Sequence, residues 1–183
     1  MWFLFKKSKE YNDPQTCALK YLENQEYNKA IEYLLTQIER SCNNFVLFDL
    51  LASSYSAIQD YSNAEKYFKL LLSKPLDEKM HDQIINKLCS VHLQNKKVEK
   101  AELLFNTCVY RRRNLSSDMF NIAFNLSNCF FNKKDFKKSL KYLERIVKSK
   151  LPENQSSINP IDNYTIQQSA LQQLLKIENN EFN

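Results

Sequence analysis

The chain has 183 residues, enough for one domain that buries a continuous core. It contains no Gly, which excludes Gly-dependent phosphate loops and Gly-flanked nucleophile turns. Formal charge is +5, unevenly placed: residues 96–150 carry fourteen Lys or Arg against five Asp or Glu, a net of +9, and the remainder carries a net of −4.

In chain order, residues 1–12 form an apolar and basic segment that holds the single Trp. Trp2, Phe3, Leu4 and Phe5 followed by Lys6 and Lys7 are candidates for docking. They would fold back over the open edge of the first helix or insert into a partner, with a membrane interface as the alternative. The run is too short for a secretory signal and lacks a small-residue cleavage site. Asp13-Pro14 then reads as an N-cap followed by Pro at the first helical position.

From here one phrase recurs: a small residue, an aromatic or His three on, an aromatic or Val six further, and an Ala or Ser after three more. It reads Ala18-Tyr21-Tyr27-Ala30, Ala52-Tyr55-Tyr61-Ala64, Cys89-His92-Val98-Ala101 and Ser127-Phe130-Phe136-Ser139, with 34, 37 and 38 residues between successive phrases. A period in this range marks an array of helical hairpins, none able to bury its apolar face alone. The expected hairpins span 13–42, 45–75, 80–113 and 117–151, each a first helix, a polar turn and a second helix. Asn or Asp in every turn partly replaces the missing Gly. The extra residues of the 37- and 38-residue spacings fall in loops near 75–80 and 111–117. Pro75 and Pro152 close second helices. A polar linker over 152–161 leads to a terminal helix over 162–178, where Ile166, Ala170, Leu174 and Ile177 recur at helical spacing. That helix is expected to cap the fourth hairpin, and 179–183 is a tail.

The pattern resembles the tetratricopeptide repeat family, whose unit is a 34-residue helix–turn–helix. The four phrase positions coincide with that family's small and aromatic consensus positions over roughly residues 14–150, departing from it in the missing Gly of each turn. The resemblance implies an all-α fold: a right-handed α-α superhelix of about four such hairpins plus a C-terminal capping helix. It also implies that ligands lie in a groove lined by the first helices. Projected onto this chain, that groove starts with Leu19, Leu22, Asp49, Ser53 and Ser56. Its candidate peptide-binding core is Asn86, Ser90, Leu93, Asn121, Phe124, Asn125, Asn128 and Phe131. Asn can donate to and accept from a peptide backbone, and Phe and Leu offer apolar pockets. The carboxylate clamp that some family members use for chaperone C-termini would need several cations here. Gln15, Leu19, Leu50, Gln83 and Lys87 supply one.

Catalytic inventory is poor. His81 and His92 are the only histidines and form no zinc-type pair; His92 occupies a core aromatic position. Cysteines 17, 42, 89, 108 and 129 include no C-x-x-C, and four fall on apolar helical positions, which points to a cytoplasmic or other reducing compartment rather than secretion. No stretch is apolar and long enough for a transmembrane helix. The expectation is therefore a non-enzyme without cofactor or metal. It would act as a protein-interaction adaptor or small scaffold subunit of a larger complex, taking a peptide or helix in the groove. One alternative is an RNA- or acidic-partner-binding module using a basic face: Arg111, Arg112, Arg113, Lys134, Lys137, Lys138, Lys141 and Arg145. The other is a membrane-peripheral adaptor anchored by the N-terminal run.

Overall fold

The repeated phrase becomes a repeated backbone. A computed structural model describes residues 13–40, 44–110, 112, 114–149 and 160–179. Among the described residues it is all helix and turn: α1 (Pro14–Glu23), α2 (Tyr27–Arg40), α3 (Phe45–Ala57), α4 (Tyr61–Leu72), α5 (Glu78–Gln94), α6 (Val98–Val109), α7 (Ser117–Asn132), α8 (Phe136–Lys148) and α9 (Pro160–Glu178). All eight small residues of the phrase are at most 1% exposed. A missing or minimal side chain at those points lets the two helices of a hairpin approach closely. At the crossing of α5 and α6 the Cys89 thiol donates to the Ala101 carbonyl at 3.7 Å.

Each first helix also ends the same way. Gln25, Gln59, Lys96 and Lys134 take φ of 58°, 62°, 57° and 59°, the left-handed region, seven residues after the phrase's small residue. The next amide reaches back to the carbonyl of the phrase's first aromatic or His: Glu26 to Tyr21, Asp60 to Tyr55, Lys97 to His92, Asp135 to Phe130, at 2.8–2.9 Å. This is the hydrogen-bond pattern of a left-handed helix stop, which satisfies carbonyls that the helix end leaves unpaired. The same residue then starts the second helix. Asp60 and Asp135 accept from the backbone amides of Asn63 and Lys138, both at 3.1 Å, whereas Lys97 makes no side-chain cap.

The contacts divide the chain into two compact units, with the boundary between Tyr67 and Phe68, inside α4. In the first unit α3 packs against both α1 and α2. Its core is Ala18, Ala30, Ile31, Leu34, Leu47 and Leu51, walled by partly buried Tyr21, Tyr33, Tyr55 and Tyr67. The Tyr55 and Tyr67 rings stack at 5.7 Å and 4°.

In the second unit α5 pairs with α6 and α7 with α8; α7 packs on both α5 and α6, and α9 on both α7 and α8. The core centres on Phe105, Met119, Phe120, Leu126, Phe130, Tyr142 and Leu143. Tyr142, at 1% exposure, stacks on Phe130 at 5.8 Å and meets Phe105 edge-on at 5.7 Å; its hydroxyl donates to Glu102 at 2.9 Å. α9 therefore adds to α7–α8 as α7 adds to α5–α6. Ala170, fully buried, takes the place of the small residue, so α9 stacks like the first helix of a further hairpin.

Candidate protein-interaction surface

The groove residues of the second unit lie on α5 and α7, neighbouring first helices, with α9 beyond α7. Two side-chain hydrogen bonds tie this row together. Asn86 of α5 donates to Asp118 of α7 at 2.9 Å, and Gln173 of α9 donates to Asn128 of α7 at 3.0 Å. Burial raises the Asp118 carboxyl above its ordinary value, against the opposing pull of the Asn86 bond. Ser90 is half-buried and donates to the Asn86 carbonyl at 3.0 Å. Leu93 and Phe124 are half-buried and rest on the core, and Phe131 meets Phe136 edge-on at 5.5 Å. Asn121 is half-buried and Asn125 exposed, one turn apart on α7. The row is thus a mixed polar and apolar face held by cross-links. Asn86 and Asn128 act within it as fasteners between helices.

Within the first unit Leu19 is 37% exposed, and Leu22, Asp49, Ser53 and Ser56 are half-buried.

The basic face is dispersed by its own pairings. Arg112 is half-buried and donates to Asp82 at 2.5 Å; Asp82, 2% exposed, also accepts from Ser116 at 2.6 Å and faces Nδ1 of His81 at 3.7 Å. The Asp82 bond raises the Arg112 guanidinium further above its already high value. Ser116 in turn accepts from the Met119 amide as the N-cap of α7. Arg145 donates to the Arg112 carbonyl. Lys138 bonds Glu102 at 2.9 Å and sits 4.7 Å from the centre of the Phe130 ring. Lys134, Lys137 and Lys141 stand exposed. Arg111 and Arg113, like Trp2, Phe3, Leu4 and Phe5, lie outside the described residues.

Cys89 is 1% exposed, and burial pushes its thiol up to about 12. Cys108 and Cys129 are raised by burial as well. Among the described residues no group of three or more His, Cys, Asp or Glu could hold a metal ion, and no helix is long and apolar enough to cross a membrane.

Stacked helical hairpins with small residues at their crossings define a helical-repeat protein, and comparison with known proteins matches one of the hairpins to a known repeat. Residues 120–151, which contain nearly all of α7 and α8, match the family model of the tetratricopeptide repeat. Among solved structures the chain resembles MamA of AMB-1 (11% identity, TM-score 0.55, covering 72% of this chain and 68% of that one). It also resembles MamA of MSR-1, with the same identity and score and 72% of each chain covered. BtubC (BKLC) from P. vanneervenii aligns over 92% of this chain and 79% of its own at 13% identity and a TM-score of 0.60. No curated protein shows significant sequence similarity to the chain. At these identities the structural likeness shows the fold alone, an all-α solenoid of helical hairpins. Such a fold is typically non-catalytic, and the repeat supports a protein–protein interaction module.

Proposed function

We propose that the chain is a non-enzymatic adaptor or scaffold subunit that binds a peptide or helix of a partner protein across the row of first helices in its second unit. The observation that carries this reading is the pair of cross-links, Asn86 to Asp118 and Asn128 to Gln173, which fix α5, α7 and α9 side by side. A surface ordered before binding loses little entropy when it binds. Between the two fasteners, Asn121 and Asn125 offer amides to a backbone, while Leu93, Phe124 and Phe131 offer apolar contact at half-burial. The partner is proposed to be a protein in a reducing compartment, consistent with Cys89 packed as a buried thiol.

The test is affinity purification from the protein's own cells in moderate and then high salt, comparing the natural chain with an Asn121→Arg/Asn125→Arg variant. Both sites accept a long side chain at or near the surface, so the fold should survive. The expected outcome is a fixed set of proteins retained at high salt by the natural chain and lost by the variant. Equal recovery by both would move the contact off this surface.

A further inference from the structure

A second surface lies on the opposite helices of the same unit. Between α6 and α8 runs a cleft of about 380 Å³. Phe105, Val109 and Tyr142 line its depth, each at most 7% exposed, so they form an apolar floor within the core. The two banks differ in chemistry. The α6 bank carries Asn106 and the residue just past the helix, Tyr110, which is 83% exposed; Leu103, 70% exposed, lies outside the cleft lining, one turn before Asn106. The α8 bank carries Lys141 and Arg145, with exposed Lys137 one turn before Lys141; the Lys141 ammonium lies 5.3 Å from the Tyr142 ring centre.

Large exposed apolar side chains beside a cavity mark a contact site more often than an isolated exposed Leu does. We infer that this cleft docks an acidic peptide segment bearing a large apolar side chain. The apolar residue would lie over Phe105 and Val109 beside Tyr110, while carboxylates one turn apart would face Lys141 and Lys137. Charge selects the sign of the partner: Lys141 on the cleft wall and Lys137 one turn before it both stand exposed. Arg145 is half-buried and donates through Nη2 to the Arg112 carbonyl, so the two exposed lysines are the carboxylate partners assigned here. Single-stranded RNA would need several aromatic faces to stack on. Here Tyr110 is open and Tyr142 is sealed at 1%, so a peptide fits better.

The experiment pans a phage-displayed library of random 12-residue peptides against the natural chain. The selected peptides are then titrated by fluorescence polarisation against Lys141→Glu, Tyr110→Ser and Asn125→Arg variants, each checked for native helicity. The cleft predicts peptides rich in Asp and Glu around a Leu, Phe or Trp. Their affinity should fall at least ten-fold in both cleft variants and decrease with salt, yet stay within two-fold for Asn125→Arg. The inference is overturned if no peptide is enriched, if those enriched lack acidic residues, or if Lys141→Glu binds them unchanged. It is equally overturned if an oligo(U) RNA or phosphatidylserine vesicles bind the natural chain through these residues while acidic peptides do not.

Discussion

Four single residues carry a strain that the rest of each hairpin overrides. Gln25, Gln59, Lys96 and Lys134 sit at φ near +60°, where a side chain crowds the neighbouring carbonyl. They are held there because each turn makes two backbone bonds and because the following helix must start at once. Lys96→Gly should therefore raise stability by about 0.5–1 kcal/mol, a positional gain of about 1–2 kcal/mol reduced by the greater freedom of Gly when unfolded. Lys96→Ala should give no such gain, and urea denaturation of both variants checks it. Asp118 gives a pH signature of the groove. Its carboxyl is raised above its unfolded value by burial, so the folded state holds the proton more tightly than the unfolded one. Its contribution favours folding at acid pH and is lost as pH rises through the window from about 3.9 to the raised folded value. Asp118→Asn keeps an oxygen for Asn86 and should remove that slope. Denaturation curves recorded from pH 4 to 7 would show the natural chain losing stability relative to the variant as pH rises.

At the scale of elements, the phrase made the hairpins legible because its small and aromatic positions are dictated by helix crossing, a local and periodic demand. The boundaries followed capping chemistry instead. α4 stops at Leu72, three residues before Pro75, and α5 starts at Glu78 because Asp77 accepts from the Met80 amide at 2.7 Å. The node around Asp82 was not legible. Arg112 reads as one of three surface arginines, yet it pairs with a carboxylate thirty residues away on α5, and periodicity carries no information about such a pair. That node fastens the loop that absorbs the extra residues of the 38-residue spacing. Arg112→Ala should destabilise the second unit by about 2–3 kcal/mol. That is below the range for a fully buried pair, since Arg112 is 23% exposed and Ser116 stays on Asp82. Thermal denaturation measures it, and Arg112→Lys should recover only part of the loss because one ammonium does not reproduce the guanidinium fork.

For the whole molecule, the sequence pattern identified the fold class but left the surfaces open. The tie between Gln173 and Asn128 had a faint signal: Gln173 follows Ala170 by three, as Tyr21 follows Ala18. The helix itself was legible as a cap, and a polar residue in an aromatic position hid its likeness to the first helix of a further hairpin. In the basic stretch, composition counts charges and cannot see that Arg112, Arg145 and Lys138 bond internal partners while Lys134, Lys137 and Lys141 stand exposed. What emerges is a helical-repeat chain with two differently built surfaces in its second unit, a cross-linked polar row and a cationic cleft. The central claim concerns the row. Hydroxyl-radical footprinting of the chain, alone and with its captured partner, tests it most directly. Lower oxidation of Leu93 and Phe131 in the complex is the predicted result, and unchanged oxidation of both would contradict it.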